Sequence, residues 1–187
     1  MILDDAFWSM MDLAPPTDAA RFAEMALPHL DAAYNLARWL TRDTSDASDV
    51  VQEAMLRALR FFGSYRGGSG KSWLLTIVRN TAIDWMRTNR PAQIAVKSGD
   101  DDPLENIADG GEDPEAALIR LGDRQQLDRL IAALPAEFRE CLVLRELEEL
   151  SYKEIAAVTG VPIGTVMSRL ARARQLMQRA LTRENAR

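Results

Sequence analysis

The chain has 187 residues, 23 Lys+Arg against 28 Asp+Glu and a formal net charge of −5, with 47% apolar residues, as in a soluble protein of one domain or two small ones. One Cys and one His exclude a disulfide framework, a Cys-type zinc site and any mechanism built on several imidazoles. No apolar run approaches the ~18 residues of a membrane span, and the opening MILDDAFWSMMDLAPPTDAA is acidic where a signal peptide is basic, so a cytoplasmic, reduced protein is expected.

The charge is unevenly placed. Residues 1–20 hold four acids and no base, and 93–115 hold eight acids and one base, while 21–92 and 116–187 each carry a surplus of bases. Such asymmetry says more about partners than the total does. In the acidic tail, Phe7, Trp8, Met10 and Met11 are read as disordered or packed on the first domain, with a docking segment as the alternative.

Residues 21–92 read as a helical bundle. Leu27, Leu30, Tyr34 and Ala37 mark an early helix on which His29 is structural or superficial. Val50, Val51, Ala54, Met55, Ala58, Leu59 and Phe62 form a wide apolar stripe on a helix over 46–62, with Asp46 or Ser45 as N-cap and Gly63 as stop. Asp49, Gln52, Glu53 and Arg57 stand off that stripe as a polar ridge able to grip another protein. Trp73, Leu74, Ile77, Val78, Ala82 and Trp85 repeat the pattern on a helix ending before Pro91, both tryptophans being read mainly as core. Around a Gly-rich loop, Tyr65, Arg66, Lys71, Arg79, Asn80 and Arg87 interleave aromatic and cationic groups, which suits single-stranded DNA. Gly70-Lys71-Ser72 matches the end of a phosphate-binding P-loop, but position 65 is Tyr rather than Gly and no hydrophobic strand precedes it, which argues against a nucleotide-hydrolysing enzyme.

Residues 93–115 contain Asp100-Asp101-Asp102 and Gly110-Gly111 and too few aliphatic residues to offset ordering entropy. They read as a solvated, flexible acidic linker, with electrostatic masking of a basic surface as the alternative. The block 116–187 follows. Asp113-Pro114 starts one helix and Pro135 opens another, carrying Phe138, Cys141, Leu142 and Leu144. Cys141 is expected as a core thiol, and Glu146, Glu148 and Glu149 as a solvated face. Ser151-Tyr152-Lys153-Glu154 has capping-box spacing and Thr159-Gly160-Val161-Pro162 breaks the chain before a helix from Ile163 to Leu181. On that helix Val166, Leu170, Ala173, Met177 and Ala180 form one stripe, while Ser168, Arg172, Gln175 and Arg179 gather opposite, flanked by Thr165 and Arg169. This is the layout of a DNA-reading helix-turn-helix.

The stretch from Leu150-Ser-Tyr-Lys-Glu-Ile-Ala to Gly164-Thr-Val-Met-Ser-Arg-Leu-Ala-Arg-Ala-Arg174 resembles the −35-reading region of bacterial sigma-70 factors, specifically the extracytoplasmic-function group. Leu134 to Arg145 resembles the lead-in to that region, Asp49-Val-Val-Gln-Glu53 that group's polymerase-binding helix, and Tyr65-Arg-Gly67 with Trp73 to Asn80 its −10 melting and recognition segment. The resemblance implies an all-α protein of two small helical domains, region 2-like over 21–92 and region 4-like over 116–187. It implies core RNA polymerase as a partner, through a coiled coil on its largest subunit, gripped by Asp49, Gln52, Glu53 and Arg57. It implies promoter DNA as the second partner. Tyr65, Arg66, Lys71, Arg79, Asn80 and Arg87 would take the −10 element, and Arg139, Thr165, Ser168, Arg169, Arg172, Gln175 and Arg179 the −35 element. An anti-sigma factor is expected as regulator, with no cofactor, metal or catalytic residue. Two departures stand out: Met167 replaces a cation common in relatives, and Gly67-Gly-Ser-Gly-Lys71 is unusually glycine-rich. The competing reading is a helix-turn-helix regulator acting on an operator without polymerase, which would need neither the 49–57 ridge nor the Trp73–Arg87 segment.

Overall fold

A computed structural model describes residues 18–89 and 126–184. The tail, the acidic segment 93–115 and the helix start at Asp113-Pro114 lie outside those residues. The described residues are helical, with no strand among them: α1 Asp18–Ala26, α2 Leu30–Thr41, α3 Thr44–Phe61, α4 Gly70–Asn89, a helical stretch 126–133, α5 Ala136–Leu142, α6 Tyr152–Thr159 and α7 Ile163–Glu184.

In the first block, α2, α3 and α4 pack on one another and α1 covers one end with Phe22 and Ala26. Small residues make the close approach: Ala47, Ala54 and Ala58 of α3 and Ala33 and Ala37 of α2 are without solvent contact, and Leu36, Val50, Leu74 and Val78 fill the space between. α3 starts two residues earlier than the sequence suggests. Its N-cap is Asp43, not Ser45 or Asp46, because Asp43 sits in extended backbone and its carboxylate accepts from the N–H groups of both those residues. At the other end α3 passes into a 3₁₀ turn, Phe62–Ser64, which contains Gly63.

The second block is built on α7, whose buried stripe Val166, Leu170, Ala173 and Ala180 packs against α5 and α6. Between α5 and α6 the chain forms a single π turn, Val143–Leu147, closed by Glu148 N–H to Val143 O at 3.0 Å. Glu149 then takes a left-handed conformation, φ 57°, and Leu150 returns inward. That irregular corner turns Glu148 into the protein. The two blocks do not stand apart: α4 packs along α6, α2 touches α5, and one hydrophobic core runs through both.

Candidate protein-docking and nucleic-acid surfaces

The α3 stripe divides into two uses. Val50, Ala54 and Ala58 face the core, whereas Met55, Leu56 and Leu59 line an open groove of about 720 Å³ together with Phe22, Leu30 and Tyr34. The early apolar positions expected at 27, 30 and 34 therefore form surface: Leu27 is 59% exposed, Leu30 39% and Tyr34 37%. Asp49 and Gln52 sit on the same groove wall. Glu53 and Arg57 form a braced pair, with Arg57 Nε donating to Glu53 at 2.8 Å and Nη1 to Asp84 at 3.3 Å. The hydrogen bond that Arg57 donates to Glu53 raises the Arg57 pKa, so its charge is secure. An apolar trough edged by fixed polar groups can receive an amphipathic helix of another protein.

On the loop side, Phe22, Phe62, Tyr65 and Trp73 form a ring cluster, with Phe62 and Tyr65 stacked at 6.0 Å and Tyr65 to Trp73 at 5.3 Å. Tyr65 also donates its hydroxyl to Gly68 O at 2.8 Å, and Arg66 Nη1 donates to Gly63 O. Gly67 and Gly68 have φ of 87° and 94°, which L side chains rarely adopt, so the glycines are what let the loop close on Tyr65. No P-loop forms. Gly70-Lys71-Ser72 is the first turn of α4, with Ser69 bracing Ser72. Trp73 and Trp85 are half-buried against the core. Asn80 and Arg87 are exposed.

The expected helix-turn-helix is present. Ser151 caps α6 by accepting from Glu154 N–H, while Glu154 accepts from Ser151 N–H at 2.9 Å. Those hydrogen bonds from the Ser151 backbone and hydroxyl hold the Glu154 carboxyl at about 2. Gly160, at φ 70°, ends α6 in the left-handed region. On α7, Ser168, Arg172, Gln175 and Arg179 are exposed, and Arg172 Nη1 donates to Gln175 at 3.1 Å. Thr165 and Arg169 are half-buried at the same end, Arg169 near the buried Cys141. Burial raises the Cys141 thiol pKa, as for a core residue. Met167 is 53% exposed on the same face. A second apolar groove, of about 430 Å³, lies behind α7 between Leu127, Leu142, Leu147, Met177 and Leu181.

Two sequence expectations need correcting. Arg139 is no DNA contact: it is 3% exposed and its Nη1 donates to the carbonyls of Ala132 and Leu134 at 3.1 Å each. Burial pushes its pKa down to about 10, with Arg42 adding to the effect. Its place in the lead-in motif is that of an internal brace. Glu148 is not on a solvated face either. At 5% exposure it accepts from Asn35 Nδ2 and from Lys71 Nζ, both at 3.0 Å. Glu146 keeps its exposure while pairing with Arg174 at 2.7 Å.

The cations of α4 divide likewise. Lys71 donates to Glu148 O at 2.7 Å as well as to its carboxylate, and Arg79 makes a two-pronged contact with Glu140, Nε to Oε1 at 2.5 Å and Nη2 to Oε2 at 3.5 Å. Ser72 donates to Glu154 at 3.1 Å. Nothing in spacing alone announces these pairs, since they join residues 61 to 82 apart in the chain.

Comparison with known proteins gives two family matches in chain order, Sigma-70 region 2 over residues 25–91 and Sigma-70, region 4 over 124–177. The chain is 36% identical over 173 residues to the RNA polymerase sigma-H factor of Pseudomonas aeruginosa, covering 88% of each. It is 40% identical over 142 residues to the ECF RNA polymerase sigma-E factor of Escherichia coli, covering 71% of this chain and 72% of that one. Among solved structures it is similar to the sigma factor RpoE of Bartonella quintana, crystallised in complex with the anti-sigma factor NepR, at TM-score 0.66 and 29% identity over 87% of this chain and 97% of that one.

Proposed function

We infer a mechanism for a chain that belongs to the extracytoplasmic-function group of the sigma-70 family: it binds core RNA polymerase and directs promoter-specific initiation through −10 and −35 recognition. The observation that carries the reading is the pairing, on one chain and in order, of a groove-bearing helical bundle with a capped helix-turn-helix whose α7 is apolar inside and cationic outside. An operator-binding regulator would need only the second of these, and the region 2 match over 25–91 does not favour it.

Each surface has an assigned task in this reading. The α2–α3 groove, with Asp49, Gln52, Glu53 and Arg57 at or beside it, takes a helix of core polymerase; Leu30, Tyr34, Leu56 and Leu59 supply the apolar contact that the sequence reading left out. Tyr65, Arg66, Lys71, Arg79, Asn80 and Arg87 serve the −10 strand, and Thr165, Ser168, Arg169, Arg172, Gln175 and Arg179 the −35 duplex. Arg139 is buried and braces the interior instead. The ranges 21–92 and 116–187 are the corresponding units, joined by the acidic 93–115. The chain supplies binding and positioning, and nucleotide addition belongs to the polymerase. We place it in the cytoplasm, where polymerase is; no helix among the described residues is long and apolar enough to cross a membrane. Because a relative was crystallised with an anti-sigma factor, control of this chain by such a protein is part of the reading.

The test is reconstitution with core polymerase and mapping of transcript start sites, alongside the variant Gln52→Ala/Leu56→Ala. Both residues line the groove and neither is core. The variant should keep its helical content and lose at least about tenfold in core-polymerase affinity, the loss of about 1.4 kcal/mol. Unchanged affinity would remove the groove from the mechanism.

A further inference from the structure

We propose that in the free chain the α2–α3 groove is filled by the chain's own first residues: the segment 2–14 lies in it as an amphipathic helix and must leave before a helix of another protein can enter. The competition, though not the docking, rests on the assignment of this groove to core polymerase made above.

The groove is an open apolar surface with an end fixed close to that segment. Leu30, Tyr34, Leu56 and Leu59 line it at between 37% and 51% exposure, and covering them removes apolar area from water. On the α3 wall Ser48 and Asp49 stand at one end and Leu56 and Leu59 at the other. Phe22 closes the Leu59 end, packed edge-on against Phe62 at 5.6 Å. Residues 1–17 lie outside the described residues, but the point where they join the fold is known. The chain enters α1 at Asp18, and Phe22, one turn further on, is itself part of the groove wall. Whatever the segment packs on, it starts from the mouth of this groove.

The segment has the pattern that the groove takes. Leu3, Phe7, Met10 and Ala14 follow one another at i, i+4, i+7 and i+11, the apolar stripe of a helix, with Asp5 and Asp12 on the opposite side. As a helix, Leu3 to Ala14 rises about 16 Å, and the α3 wall from Asp49 to Leu59 about 15 Å. Pro15-Pro16 stops such a helix, and with Thr17 leaves three residues for the reversal into α1, within the usual length of a helix–helix connection. The tether also sets the direction: Ala14 lies by Phe22 and Leu3 reaches toward Asp49, parallel to α3. Segment and groove rim are both acidic, so the contact is apolar, and the stripe turns Asp5 and Asp12 to water and away from Asp31 and Asp49. A tether this short gives an effective concentration on the order of millimolar, which favours the chain's own segment over that of a second copy.

The experiment puts a thiol in the groove of the full chain by Leu59→Cys, the native Cys141 being wholly buried, and follows its labelling by a maleimide at several chain concentrations. Leu56→Cys repeats the measurement at a second exposed position of the same wall. Phe7→Asp/Met10→Asp, which sets charges on the stripe, should speed labelling, and Trp8→Ala, which lies off it, should not. The same tail variants without the added thiol are titrated with core polymerase. If the segment covers nine grooves in ten, labelling and core affinity both rise about tenfold in the double variant. Labelling no faster in the double variant overturns the proposal. So does protection that grows with chain concentration, which puts a second copy in the groove, or an effect of Trp8→Ala as large as that of the double variant, which means contact without a helical register. Faster labelling at unchanged core affinity supports the docking and overturns the polymerase assignment of the groove. Tighter core binding without faster labelling overturns the docking and leaves that assignment standing.

Discussion

α4 and α7 are both long helices with a cationic face, and they spend it differently. On α4 the cations at 71 and 79 point into the protein and are met by acids of another block. On α7 Arg172 and Arg179 point into solvent and meet at most a neighbour on their own helix. The difference lies in what flanks the cations. Leu75 lies midway between Lys71 and Arg79 on the same face and is wholly buried, so that face is core with charged edges. Met167, Ser168, Ala171 and Gln175 accompany Arg172, and all are exposed, so that face is surface throughout. A basic helix face is available to DNA only where its apolar neighbours do not bury it.

The comparison can be broken most severely at Leu75. Leu75→Ala should lower stability by about 2–5 kcal/mol, as for a buried leucine, while Met167→Ala on the α7 face should change it by less than about 0.5 kcal/mol. Urea unfolding of the two variants reads both numbers, and comparable losses would erase the distinction between the faces. A smaller effect is expected within α7 itself. Arg172→Ala should cost about 1–3 kcal/mol at one promoter position and relax preference there, whereas Arg179→Ala should weaken every sequence alike and lower the salt slope by about one unit. Binding across a randomised −35 library at two salt concentrations separates them, and an unchanged preference in Arg172→Ala would misplace the reading face.

The smallest effect concerns the joint between the two faces, where Glu154 both caps α6 and reaches Ser72 of α4. Ser151→Ala should cost about 1 kcal/mol at neutral pH. Glu154 is held at about 2, below its ordinary value, so the stability it contributes is complete above the ordinary carboxylate range and is lost as pH falls toward about 2. The gap between wild type and Ser151→Ala should therefore narrow on acidification, as thermal unfolding across that range would show. A gap independent of pH would mean that the serine hydroxyl alone does the capping.

The helix-turn-helix was legible residue by residue, because each of its signals is local. Ser151 and Glu154 meet within one turn, Gly160 supplies a left-handed residue at the stop, and the α7 stripe repeats with the helix itself. The α2–α3 groove was half legible. Its polar rim stood out at Asp49 and Gln52, but Leu30, Tyr34 and Leu59 carry the same apolar periodicity as core residues. Only packing says which part of a wide stripe the neighbouring helices cover. Arg139 and Glu148 were beyond reach from sequence for the opposite reason. Charged residues default to solvent, and what reverses that is a partner far along the chain or a turn of irregular geometry, such as the π turn that directs Glu148 toward Lys71 and Asn35. The sequence by itself determined the helices, their caps and the two-faced α7, since those depend on contacts within a few residues. Tertiary structure alone decided which basic face stays free, since that depends on burial and on pairs 61 to 113 residues apart.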